Sequence, residues 1–200
     1  IVHMGGQATE STWDVIRQAN IDGMVNLYEA ARKSSVKPRI IFASSNHAIG
    51  FYKQSQRLDA NSPTRPDSFY GVSKVFGEAL ASMYHDKFGI ETASVRIGSC
   101  FPEPKNHRML STWMSYEDFV RLIECIFTVP RLGCPIIYGA SDNDASWWDN
   151  RETAHIGWRP QDNAEVFRAK LDAAMEPPSA DDPLAVYQGG TFTADGIHEE

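Results

Sequence analysis

Tyr70 and Lys74 stand four residues apart in the string Tyr70-Gly71-Val72-Ser73-Lys74. On a helix that spacing puts a phenol and an ammonium on one face. A phenol ordinarily gives up its proton near pH ~10. A cation held beside it favours the phenolate, so the pair can act as a base near neutral pH. A hydroxyl partner is available upstream, where the apolar run Ile40-Ile41-Phe42-Ala43 leads into Ser44-Ser45-Asn46-His47. A serine at such a place can hydrogen-bond the same oxygen that Tyr70 deprotonates. Carboxyl ends of parallel strands are where open α/β sheets place their sites. Two other runs also end in small or polar residues, at Gly5-Gly6 and at Gly98-Ser99-Cys100.

The elements that must position these groups follow from periodicity and punctuation. Short apolar runs mark strands at 1–4, 39–44, 91–97 and 135–138, the mark of strands buried on both faces. Helical periodicity runs from about Thr12 to Arg32, through Val15, Ile16, Ala19, Met24, Leu27 and Ala30, with Ser11 or Thr12 as its cap. Asp67 is the expected cap of the helix that carries Tyr70 and Lys74, which Gly89 stops. Tyr116 to Thr128 shows one apolar face of Phe119, Leu122, Ile123 and Ile126. A last helix is expected over 163–175. Residues 98–115 read as a long polar loop, and Pro177-Pro178 opens a tail expected to be weakly folded. Alternating strands and helices predict a parallel sheet with helices on both faces, in one unit over 1–176 followed by the tail 177–200.

Composition narrows the function. With 19 Lys and Arg against 26 Asp and Glu, the formal charge is −7, and there is no basic cluster to follow a nucleic-acid backbone. No apolar run approaches the roughly 20 residues of a membrane span, and no signal peptide is visible. Three cysteines, Cys100, Cys125 and Cys134, form no CxxC pair, so neither a disulfide framework nor a zinc knuckle is expected. Asp142-Asn143-Asp144 lacks the Gly and closing Glu of a calcium loop, and no metal is expected. A cytoplasmic enzyme is the default.

A serine at a strand end followed by YxxxK resembles the short-chain dehydrogenase/reductase superfamily. Residues 20–31 and Gly157-Trp158-Arg159-Pro160 are similar to its extended, NAD-dependent epimerase/dehydratase branch. Ser44-Ser45-Asn46-His47-Ala48-Ile49-Gly50, Arg96-Ile97-Gly98-Ser99-Cys100 and Ser146-Trp147-Trp148-Asp149-Asn150 more narrowly resemble the uronate dehydrogenases. The resemblance implies the later strands of a Rossmann-like, doubly wound parallel sheet with a small substrate-side extension at the C-terminus. It implies NAD as cofactor and a sugar acid as substrate, oxidised at the anomeric carbon to an aldarolactone. Ser45, Tyr70 and Lys74 would be catalytic, with Ser44 structural. Met4, Gly5, Gly6, Ile97 and Cys100 would join Tyr70 and Lys74 at the cofactor. Ala8, Thr9, Asn46, His47 and Ser99 would line the sugar with Ser45. Arg108 would pair with its carboxylate, as suits a planar guanidinium. Trp147 and Trp148 would pack a loop over the site. His47 as a purely structural hydrogen-bonder and Arg108 as a surface residue remain the alternatives.

The pattern departs from the family at two places. No GxxGxxG or GxGxxG turn occurs, and no acidic residue for the adenosine ribose can be identified. The first strand is expected to correspond to a fourth strand of the full fold, with weak NAD binding by this polypeptide alone. After Gly5-Gly6 stands Gln7-Ala8-Thr9, and Ala8 cannot donate a hydrogen bond where the family tends to place a hydroxyl. A sugar-nucleotide epimerase or dehydratase, and an inert fragment with a relic site, are the competing readings. A homo-oligomer face on Phe76, Leu80 and Tyr84 stands beside core packing as an explanation of that stripe.

Overall fold

The computed structural model describes residues 1–199. Four strands, β1 (Val2–His3), β2 (Ile40–Ser45), β3 (Thr92–Ile97) and β6 (Ile136–Gly139), form one parallel sheet in the order β1-β2-β3-β6. The register sets Ser45 opposite Ile97 and Ile97 opposite Gly139, so three strands end level with one another. The expected α/β class, the four strands and the parallel arrangement are all present.

Period-2 alternation assigns each strand residue to a face. Ile40 and Phe42 point into one core with Met24, Tyr28 and Ala31 of α2 (Gly23–Lys33) and Ala81 and Tyr84 of α3 (Phe69–Phe88). Ile41, Ala93, Val95 and Ile137 point into the other, with Leu122 and Ile126 of α5 (Tyr116–Thr128). Tyr84 thus belongs to the core, its ring 4.9 Å from that of Tyr28, which takes it out of any oligomer face.

Strand β3 is polar on its α3 side, and each of its two larger polar groups there is answered. Thr92 meets the Tyr28 hydroxyl at 2.9 Å. Arg96 forks onto both oxygens of Glu78, at 2.9 and 2.8 Å, and donates to the Tyr138 hydroxyl at 3.1 Å. Ser44 donates to the same Glu78 at 2.6 Å. A buried charge is costly unless paired and hydrogen-bonded. Here the pairing clamps α3 to the strands one turn beyond Lys74, consistent with Ser44 being structural.

The first helical stretch is not regular. Trp13–Ile16 (α1) gives way to a π-helical segment, Arg17–Asp22, before α2 continues. The wide turn brings the Asn20 amide to the loop after β1, where its Oδ1 accepts from the Gln7 N–H at 2.8 Å and its Nδ2 donates to the Gln7 carbonyl at 3.1 Å. Such π-bulges interrupt a helix where a side chain must be re-aimed.

Two expectations fail, for residues 98–115 and for the tail, and the last helix holds with its first turn changed. Residues 98–115 are not a plain loop: Ser99–Cys100 (β4) pairs with Trp113–Met114 (β5), and α4 (Met109–Thr112) lies between them. The pattern was missed because two-residue strands carry no period. The helix expected over 163–175 is a 3₁₀ turn, Ala164–Phe167, followed by α6 (Arg168–Ala174). The tail after Pro178 folds back. It forms α7 (Pro183–Val186), capped by Asp182 with Pro183 in the first turn, and a 3₁₀ turn at Gly190–Thr193. Its anchor is Gln188, which is fully buried. The Gln188 amide donates to the carbonyls of Lys53 and Gln56 at 3.1 and 2.8 Å and accepts from the Trp148 indole at 2.9 Å. Backbone bonds from Gln188 to Tyr52 and from Gly189 to Gly50 complete the seam. Turn-rich composition hides an attachment of this kind because nothing in it is periodic.

Candidate active site

The level strand ends floor a cavity of about 410 Å³. Met4, Gly6, Ala8, Thr9, Ser45, Asn46, His47, Tyr70, Lys74, Ile97, Ser99 and Arg108 all line it. Gly5 does not, although its neighbours Met4 and Gly6 do. Nor does Cys100, which is half-buried with its thiol pushed up in pKa by burial. The folded-back segment supplies a wall that the sequence did not reveal, made of Leu184, Gly189, Gly190, Thr191 and Phe192, and Asn106 lines the cavity as well.

Tyr70 is the second residue of α3, and its position is tightly set. Ser68, not Asp67, is the cap: its Oγ accepts from the Gly71 N–H at 2.9 Å. Glu10, from the loop after β1, takes the next donors, accepting from the Phe69 and Tyr70 N–H groups at 3.1 and 2.7 Å. A carboxylate suits this place because a helix N-terminus is electropositive. Gly71 is required by proximity: a Cβ there would lie 2.4 Å from the His47 carbonyl. The helix tip is thus pressed onto the 3₁₀ turn Asn46–Ile49 that follows β2.

The electrostatics differ from the simple pair read in the sequence. Burial pushes the Tyr70 phenol up from its usual value, and the negative charge of Asp67 adds to the rise. The influence that opposes it is a hydrogen bond from Ser45, not the ammonium. Lys74 is buried, its Nζ 5.2 Å from the centre of the Tyr70 ring and donating to the Ala43 carbonyl at 2.8 Å. Burial alone lowers it to about 8. Tyr70 and Lys74 do share one face and one cavity, and Ser45 stands beside the phenol.

The opposite wall holds Arg108. Its Nε donates to the Gln188 carbonyl at 2.9 Å, and its Nη2 binds the same oxygen. No carboxylate lies within ion-pairing distance of it among the described residues. Burial pushes the guanidinium down to about 10, against a weaker upward pull from Asp67. A guanidinium has five N–H donors in a fixed fork, and the Gln188 carbonyl occupies only one edge of it. Asn46 donates to the same carbonyl at 3.2 Å. Ser99 shares a hydrogen bond of 3.0 Å with Thr112. Trp147 and Trp148 pack against Ile49, Leu58 and Tyr138 behind the cavity, at a distance from Tyr70.

This is a phenol–serine–lysine site at the carboxyl edge of a parallel sheet, and the comparisons agree with that class. Residues 1–122 match the NAD dependent epimerase/dehydratase family, and the chain belongs to it. It is 57% identical over 200 residues to a uronate dehydrogenase of Agrobacterium fabrum, covering all of this chain and 75% of that protein. It is 57% identical over 196 residues to a uronate dehydrogenase of Pseudomonas putida, covering 98% of this chain and 72% of that one. The crystal structure of uronate dehydrogenase from Agrobacterium tumefaciens superposes with a TM-score of 0.98 at 57% identity, over all of this chain and 75% of that chain. A UDP-glucuronic acid 4-epimerase from Bacillus cereus superposes at a TM-score of 0.68 with 16% identity, which shows the shared fold alone.

Proposed function

We propose that this chain carries the catalytic site of an NAD-dependent oxidoreductase that oxidises a uronic acid at its anomeric carbon, giving an aldarolactone. One observation carries the substrate class: Arg108, a cation without a carboxylate partner among the described residues, lines the same cavity as Tyr70 and Ser45. An unpaired buried charge is unfavourable, and a carboxylate on the substrate supplies what Arg108 lacks. The uronate dehydrogenases described above are 57% identical to this chain over 98–100% of its length. An acidic protein thereby receives an acidic sugar through one local cation.

In this reading Tyr70 Oη takes the proton of the anomeric hydroxyl while Ser45 Oγ hydrogen-bonds the same oxygen. Ser45 also opposes the rise in the Tyr70 pKa that burial causes. NAD supplies the hydride acceptor when bound. The residues fit such a group: Lys74 presents a buried ammonium whose protein partner is one carbonyl, and Met4, Gly6 and Ile97 give a wall of small and apolar surface. Asn46, His47, Thr9 and Ser99 offer hydrogen bonds to the sugar hydroxyls, and Thr9 supplies a hydroxyl that Ala8 lacks. A cytoplasmic setting belongs to the same proposal, and no helix among the described residues is long and apolar enough to cross a membrane.

The test is formation of reduced nicotinamide, followed by absorbance, with glucuronate, galacturonate and their neutral sugar counterparts. Tyr70→Phe should lower kcat by on the order of 10²–10⁴-fold, the usual worth of a positioned acid or base. Arg108→Ala should lower kcat/KM for the acid sugars by on the order of 10²-fold, as expected when one partner of a buried charge pair is removed. It should leave the neutral sugars almost unaffected. An Arg108→Ala variant that keeps its preference for acid sugars removes the carboxylate contact.

A further inference from the structure

We propose that Asp67 is a positioning residue that fixes the tautomer of His47, so that His47 Nε2 accepts a hydrogen bond from a sugar hydroxyl instead of donating one. The Asp67 side chain is wholly buried, and its Oδ2 lies 2.8 Å from His47 Nδ1. The other oxygen, Oδ1, accepts from the Ser68 hydroxyl at 2.8 Å. An ionised carboxylate only accepts, so Nδ1 must carry the proton. The hydrogen bond at one ring nitrogen decides what the other can do. In the neutral imidazole, Nε2 is then left with a lone pair. It has no protein partner among the described residues, and His47 lines the cavity.

The surroundings lock this arrangement from several sides. Phe192 stacks on the imidazole with ring centroids 3.9 Å apart and planes 23° from parallel. The Tyr70 ring meets it edge-on at 5.7 Å. The Asp67 N–H also donates to the His47 carbonyl at 3.3 Å, so the two residues are tied twice. Two glycines make the room. A Cβ on Gly50 would lie 1.8 Å from Asp67 Oδ2, and one on Gly189 would lie 1.9 Å from it. Neither glycine has a positive φ. Their need is therefore space for this carboxylate and not backbone freedom.

The proposal rests on the uronate reading for the identity of the hydroxyl, and its first test does not. In ¹⁵N-edited NMR of the full chain, His47 should show a protonated, pyrrole-type Nδ1 and an unprotonated, pyridine-type Nε2. The opposite pattern overturns the proposal whatever the substrate. The second test is kinetic. Asp67→Asn places N–H groups where only lone pairs stood, and should lower kcat/KM for the uronate by about 10- to 100-fold. In a His47→Ala background the same change should cost less than about twofold, because its effect runs through the ring. Equal losses in both backgrounds would make Asp67 merely structural. Should Asp67→Asn fail to fold, Gly189→Ala, which crowds the carboxylate from the other side, should shift the His47 ring signals. Unchanged signals in a folded Gly189→Ala variant count against the proposal.

Discussion

The sheet with its covering helices and the folded-back segment 182–193 build opposite walls of one cavity by different physics. The sheet side is held by periodic apolar burial: Ile41, Val95, Leu122, Ile126 and Ile137 are all essentially inaccessible. The returning segment is anchored differently. It is held by backbone bonds and by Gln188, whose amide is satisfied on both ends. In the proposed reading the chemistry sits on the first wall, at Ser45, Tyr70 and Lys74. The second wall would then set what is recognised, through the carbonyl that holds Arg108 and the ring that lies on His47. Stability and selectivity are therefore expected to respond to different substitutions.

Leu122→Ala is the larger blow to the molecule. Truncating a buried leucine typically costs ~2–5 kcal/mol. The midpoint of denaturant unfolding should fall accordingly, while KM and kcat of the remaining folded enzyme stay near their original values. A change in KM for the uronate would mean that the two walls are mechanically coupled. Gln188→Ala should act the other way round. It leaves the Trp148 indole and the Gln56 carbonyl without these partners, and a buried group left unsatisfied costs ~1–3 kcal/mol. Water admitted into the vacated polar space restores part of these bonds, so the loss of stability should be smaller than for Leu122→Ala. KM for the uronate should rise about tenfold, because the backbone that orients Arg108 is loosened. The finest distinction is a shift in pH. The Ser45 hydrogen bond lowers the Tyr70 pKa against burial. Ser45→Ala removes a lowering influence, so the folded-state pKa must rise. The ascending limb of kcat against pH should then move to higher pH. A limb that stays in place would leave Ser45 with no part in tuning the phenol.

The same contrast explains what could be read in advance. The strands at 40–45, 92–97 and 136–139 were legible because burial on both faces demands an apolar or internally answered run. The helix bearing Tyr70 was legible from its period and from Gly89, which ends it at φ +68°. Twelve of the expected site residues line one cavity: strand ends and YxxxK spacing encode Ser45, Tyr70 and Lys74 directly, and the family resemblance supplies the others. The remainder depends on contacts between residues far apart in the chain. Glu10 reaches Tyr70 across 60 positions, and Gln188 reaches Lys53 across 135. No local pattern announces such pairs. Asp-Ser before a helix offers two capping side chains, and only geometry shows that Ser68, not Asp67, does the capping. The doubled glycine at 189–190 was the one available clue to the returning wall. Gly190 needs its positive φ, and its Cβ position lies 3.0 Å from Arg108.

The carboxylate of Glu10 has a mechanical consequence. It follows Ala8 and Thr9 directly in the chain and grips the first two N–H groups of the Tyr70 helix, while Asn20 grips Gln7 on the other flank and also donates to Ser73 at 2.9 Å. The rim of the cavity and the tip of the helix are consequently one lever arm. Any motion that swings this rim outward must also strip the helix of its terminal acceptor.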